Sequence, residues 1–113
     1  MSAEAAVVLR KARALLEKPE HWTQGMMARG KSGRRIFYGS RSAVCWCADG
    51  AIWRAANGSL ISRKGWVANA AEQYLSAATG RRVSAFNDAP ERTHAEVLAA
   101  FDRAIALAEA ANV

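Results

Sequence analysis

Apolar residues recur at helical intervals from the start of the chain. Ala5, Val8, Leu9, Ala12, Leu15 and Leu16 share one side of a helix predicted over about residues 4–17, with Arg10, Lys11 and Arg13 turned away, and Pro19 stops it. Between Pro19 and Ser42 the period is lost. Gly25, Gly30, Gly33 and Gly39 punctuate that stretch, and the pattern fits a short hairpin pairing residues 26–29 with 34–38 across Gly30-Lys31-Ser32-Gly33. Ser40 or Ser42 then caps a second predicted helix running to about Ala56, closed by the left-handed signal Asn57-Gly58. Leu60 and Ile61 read as a connecting loop tucked onto the core. A third helix, about residues 63–79, carries Trp66, Val67, Ala70, Ala71, Tyr74 and Leu75 at i, i+4 spacing and ends at Gly80. Residues 81–89 read as a loop or short extended piece held by Val83 and Phe86. The last helix has the clearest start: Thr93 and Glu96 form a capping box ahead of Val97, Leu98, Phe101, Ile105 and Ala108.

These elements predict a mainly α fold, a compact bundle of about four helices with a short irregular or β-hairpin insertion after the first helix, in one domain spanning residues 1–113. On the predicted second helix, Val44, Cys47, Ala48, Ala51 and Ala55 gather on one side, with Trp46 and Trp53 opposite. A helix apolar on two sides is usually central, so the packing account of both tryptophans is favoured over the alternative that they form an exposed partner anchor. Were that two-faced helix to drive oligomerisation, a symmetric homodimer would be the first form to consider.

With 51% hydrophobic residues, the chain has enough apolar material for one modest core. No apolar run approaches the roughly 18 residues of a membrane span, and the first residues lack the basic-then-apolar order of a signal peptide, so the expected location is the cytoplasm, with no membrane partner. Cys45 and Cys47 are too close in sequence to bridge each other and are expected to be free thiols. The formal charge of +6 is unevenly spread: residues 21–87 hold ten Lys and Arg against Asp49 and Glu72 alone, whereas residues 88–113 hold five acids against Arg92 and Arg103. Such a split presents a positive face to a polyanion, or lets the acidic helix dock on a basic neighbour within the fold.

The strongest functional signal is the insertion, where Arg29, Lys31, Arg34, Arg35 and Arg41 are interleaved with Phe37 and Tyr38 and no acid occurs between Glu20 and Asp49. Arginine with aromatics is how proteins follow a sugar-phosphate chain and stack on its bases, and the same charges suit an acidic protein surface. A non-enzymatic binding protein is therefore expected, with a protein or a nucleic acid as partner. The competing reading is a small cysteine-dependent hydrolase with Cys47 as nucleophile, His94 as base, Gln24 as oxyanion donor and Asp88 as orienter; Gln24, Cys47 and His94 follow the chain order of papain-type enzymes. Against it, Cys47 lies on an aliphatic helix face and His94 one turn before Val97 and Leu98, where both residue types are usually structural. Cys-x-Cys with the distant His21 and His94 does not reproduce zinc-site spacing, and no phosphate-binding glycine loop is present, so no metal and no cofactor are expected.

Four stretches taken together carry a resemblance: Trp22-Thr23-Gln24-Gly25, Trp46-Cys47-Ala48-Asp49-Gly50-Ala51 with Arg54-Ala55, Asn87-Asp88-Ala89-Pro90, and Arg92-Thr93-His94-Ala95-Glu96-Val97. The chain resembles a family of small bacterial and phage proteins known only as a domain of unknown function. Phe86 stands where that pattern has a tryptophan. The resemblance implies one compact domain and brings no catalytic residue or cofactor with it. In physical terms its residues read as structure: Gln24 and Asn87-Asp88 as partners for loop backbone, Gly50 as a point of close contact, Thr93 as a cap.

Overall fold

The computed structural model describes residues 2–57 and 63–111. Helix α1 spans Ser2–Leu15, and Lys18, extended as residues before proline are, leads into a single 3-10 turn at Pro19–His21. Strands β1, Ala28–Gly30, and β2, Ala43–Trp46, pair antiparallel with Ala28 opposite Trp46 and Arg29 opposite Cys45. Then follow α2, Ala48–Ala56; α3, Arg63–Thr79; α4, Val83–Asp88; and α5, His94–Ala111. The molecule is mainly helical, with five helices and this one small sheet among the described residues.

Helix α1 packs against α2, α3 and α5, and α3 packs against α2 and α5 as well. The core where they meet is built from fully buried Leu9, Leu16, Ile52, Leu75, Val97 and Phe101. Between these, Ala5, Ala12, Ala51, Ala68, Ala71, Ala100, Ala104 and Ala108 are also completely buried, and side chains this small let helix axes come close together. Two ion pairs join α1 to α5: Arg13 Nε lies 2.7 Å from Asp102 Oδ1, and Arg10 pairs with Glu109. The acidic last helix thus finds its basic neighbour in α1 rather than in the basic middle of the chain.

Several expected boundaries held. Asn57 closes α2 at φ 50°, and Thr93 and Glu96 exchange the two capping hydrogen bonds, Thr93 N to Glu96 Oε1 at 2.8 Å and Glu96 N to Thr93 Oγ1 at 3.2 Å. That Thr93 N–H, with Arg92 nearby, holds the exposed Glu96 carboxyl below its usual range. Three expectations are corrected. Residues 43–46 form a strand, not the first turn of a helix, because Ala43-Val44-Cys45-Trp46 finds an unpaired backbone edge in β1; short apolar runs carry no period that separates the two outcomes. Helix α2 therefore starts later, with Cys47 as its N-cap. Residues 83–88 are helical, with Val83 and Phe86 one turn apart and both buried. Trp66, grouped by spacing with the apolar residues of this helix, is 61% exposed, because α3 turns Val67, Ala68, Ala71 and Leu75 inward instead. The expected hairpin is partly realised: Arg29 and Arg35 bridge antiparallel and the turn closes through Gly33 N to Gly30 O at 2.9 Å, but the regular partner of β1 is β2. The loop residues Leu60 and Ile61 lie outside the described residues. Among the described residues no helix is long and apolar enough to cross a membrane.

Candidate functional site

The insertion between α1 and α2 is an ordered lobe. Strand β1 lies between β2 on one side and residues 34–36 on the other, since Gly30 N donates to Arg34 O at 2.9 Å and Ile36 N to Ala28 O at 3.2 Å. Gly33 turns this corner at φ 85°, which a side-chain-bearing residue seldom adopts. Arg54 on α2 fastens the far end, donating to Tyr38 O at 3.1 Å and Ser40 O at 2.8 Å while its guanidinium lies 5.5 Å from the centre of the Trp46 ring. The Trp46 indole donates to the same Tyr38 carbonyl at 3.1 Å.

A knot of hydrogen bonds on the other side mounts the lobe on α4. Asn87 is the one fully buried polar side chain among the described residues. Its Oδ1 accepts from Trp22 Nε1 at 2.7 Å and Ala48 N at 2.9 Å, and its Nδ2 donates to Thr23 O at 3.1 Å and Asp88 Oδ1 at 2.8 Å. Gln24 Nε2 donates to Asn87 O and Ala89 O, and Gly25 N donates to Asp88 Oδ1. The amide meets all its partners, which is what burial without cost requires. Arg92 continues the tie, its guanidinium 3.9 Å from the Phe86 ring centre and its Nε donating to Phe86 O.

The expected binding residues divide into two groups. Arg29 is a staple: its three nitrogens donate to Thr23 Oγ1, Gly33 O and Gln24 O at 2.7–3.0 Å. Tyr38 is half-buried, its ring 4.4 Å from Phe37 and 6.3 Å from Trp53. Lys31, Arg34, Arg35 and Arg41 are exposed, and no ion pair or side-chain hydrogen bond engages them among the described residues. Phe37 is 64% exposed. Two shallow grooves of about 460 Å³ each run between these side chains. One is lined by Gly30, Lys31, Ser32, Arg34, Arg35, Ile36 and Ser42, the other by Met27, Arg35, Ile36, Phe37 and Tyr38, so they adjoin at Arg35 and Ile36. Trp46 and Trp53 are each only 7% exposed and present no ring to a partner.

The four residues of the cysteine reading each have a local partner. Cys47 Sγ accepts from Gly50 N at 3.2 Å, and burial pushes its thiol up to about 11, where little thiolate exists at neutral pH. His94 Nε2 donates to Leu16 O, which fixes that nitrogen as the protonated one, and its ring lies 6.3 Å from that of Trp22. Gln24 and Asp88 belong to the Asn87 knot. No hydrogen bond joins Cys47 to His94 among the described residues. Cys45 is also free and buried.

A further cleft, about 620 Å³, lies elsewhere, between α2, α3 and the start of α4, and was not anticipated from sequence. Asp49 and Glu72 line it with Asn69, Gln73, Ser76, Arg82 and Ser84. Glu72 Oε2 accepts the Trp53 indole N–H at 3.1 Å. Burial first, and then the hydrogen bond and charge of Glu72, raise Asp49 to about 8, so Asp49 is largely protonated at neutral pH. A sequence signal for the pair existed: these are the only two acids between His21 and Asn87. No cysteine sulfur or histidine lines the same cleft. Among the described residues, no group of three or more His, Cys, Asp or Glu is placed to hold a metal ion.

No curated protein and no solved structure matches the chain. A family model does match, over residues 1–107, and by that match the chain belongs to DUF6197, a family of unknown function.

Proposed function

We propose that this protein is a non-enzymatic binding module that holds an anionic macromolecule on the basic lobe. The observation that carries this reading is the contrast between the two sets of cations. Arg10 and Arg13 on α1 are matched by Glu109 and Asp102 on α5, whereas Lys31, Arg34, Arg35 and Arg41 have no acid against them among the described residues. Unmatched charge on an ordered support is an electrostatic surface whose geometry is set before binding, which lowers the ordering entropy lost on association. Arginine outnumbers lysine there three to one, and its planar fork suits carboxylate and phosphate alike. The protein acts from solution, with the cytoplasm as its setting.

The test compares two double variants of equal charge. Binding of long-chain polyphosphate and of polyglutamate is measured across a salt series for the native protein, for Arg34→Ala/Arg35→Ala and for Arg10→Ala/Arg13→Ala. The lobe variant is expected to lose at least about tenfold in affinity at low salt while the α1 variant stays within about twofold of native. Equal losses in both would mean that attraction follows net charge alone, and the lobe would have no special role.

A further inference from the structure

We infer that the anion held by the lobe is a single-stranded nucleic acid, with an unpaired base stacked on Phe37 and the adjoining phosphates on Arg35, Arg34 and Lys31. This rests on the basic-lobe reading above and narrows it to one partner.

An acidic polypeptide would be satisfied by the cations alone, and a large exposed aromatic ring beside them would be a cost in water without a role. Phe37 is 64% exposed, the most exposed of the large apolar side chains described. Its ring is nevertheless supported. Tyr38 lies 4.4 Å away centre to centre and rests in turn against Trp53 of the core. On the chain side the ring lies against Gly39, so closely that a Cβ there would come within 2.6 Å of Phe37 Cε2. Glycine at position 39 makes room for the ring in this position, which leaves it a free surface that every base can stack on.

Continuity between ring and charge is the second part. The groove beside Phe37 and the groove beside Lys31 and Arg34 share Arg35 and Ile36 in their walls, so an extended chain can pass from one into the other without leaving the surface. Alternating aromatic and phosphate contacts are the pattern of single-strand recognition. In a duplex each base is already covered by its neighbours, and the ring would find a partner only after unstacking it.

The intact protein is titrated at low salt against four labelled probes: a mixed-sequence DNA single strand of about a dozen nucleotides, a strand of the same length lacking bases, the matching duplex, and polyglutamate. Phe37→Ala, Phe37→Trp and Arg34→Ala/Arg35→Ala are compared with native protein, their folding checked by thermal melts. The single strand is expected to bind about tenfold tighter than the base-free strand. Phe37→Ala should erase that difference, Phe37→Trp should keep or enlarge it, and the slope of log affinity against log salt should be about −2, as three single-strand phosphate contacts give. If the base-free strand binds as well as the intact one and Phe37→Ala changes nothing, stacking is overturned while the lobe remains a charge-contact surface. Tighter binding of the duplex would overturn it equally. Binding of polyglutamate alone, lost in the arginine double variant, would assign the lobe to an acidic protein and overturn the nucleic-acid partner. If no probe binds even at low salt, both this inference and the lobe reading fall.

Discussion

The Trp22 indole N–H donates to the Asn87 side-chain oxygen at 2.7 Å across 65 positions of sequence. Removing the amide would strand the Trp22 indole, the Ala48 N–H and the Thr23 carbonyl together. Each buried group left unpaired costs about 1–3 kcal/mol, so Asn87→Ala is expected to lose roughly 4 kcal/mol in urea unfolding. Asn87→Asp keeps the acceptor but sets a second carboxylate against Asp88, and should also be destabilised, increasingly so as the pH rises and the carboxyl ionises. A loss below about 1 kcal/mol in Asn87→Ala would show that the knot is not what mounts the lobe.

Gly50 lies inside α2, where alanine would ordinarily stabilise by about 1 kcal/mol. Here a Cβ would run into the Met27 carbonyl, whose carbon would be only 2.7 Å away, and that carbonyl also accepts Cys47 N at 3.1 Å. Backbone on both sides cannot yield without breaking this contact. Gly50→Ala is therefore expected to destabilise by about 3 kcal/mol net, lowering the melting temperature by more than about 10 °C; an unchanged or higher melting temperature would contradict the packing described.

Asp49, raised from 3.8 to about 8, keeps in the folded protein a proton that the unfolded chain gives up above pH 3.8. Its contribution to stability is complete below that value, declines as pH rises toward 8, and is level beyond. The steepest decline one such group allows is about 1.4 kcal/mol per pH unit. Asp49→Asn should flatten the stability profile between pH 4 and 8 and be more stable than native protein above it. Cys47, raised from 9.0 to about 11, produces a second decline between those two values, which Cys47→Ser should lessen. Equilibrium unfolding across pH reads both windows, and a stability that rises from pH 4 to 8 would refute the Asp49 assignment.

Arg54 connects the core to the lobe without contributing to its exposed charge. Arg54→Met should leave the helical signal and cooperative melting in place while loosening residues 36–42, seen as at least about tenfold faster amide exchange there and faster tryptic cleavage at Arg41. Unaltered exchange would mean that Trp46 and Tyr38 hold that end by themselves.

What the sequence disclosed and what it hid follow a physical division. Pro19, Asn57 and the Thr93–Glu96 box act through bonds within a few residues, and each sits where the residue types predict. The stripe on α1 was legible because fourteen residues average out exceptions. By contrast, Ala43–Trp46 is too short for its period to separate strand from helix turn, and the outcome depended on the free edge of β1. Asn87 looked like a loop residue because its partners Trp22, Thr23 and Ala48 come from distances that local pattern does not reach. The binding residues were found as a class by charge and aromatic content. That Arg29 is internal while Arg34 and Arg35 face solvent required coordinates, since all three carry the same side chain.

The connection between lobe and α4 also sets an order of events. A chain leaves the ribosome amino end first, so the segment bearing Lys31, Arg34, Arg35 and Phe37 emerges well ahead of Asn87, Asp88 and Ala89, on which Trp22, Gln24 and Gly25 depend. Until those later residues arrive, the positive segment lacks its mount. A nascent or stalled chain therefore displays the charges without that support, which forms only once Asn87 has left the ribosome.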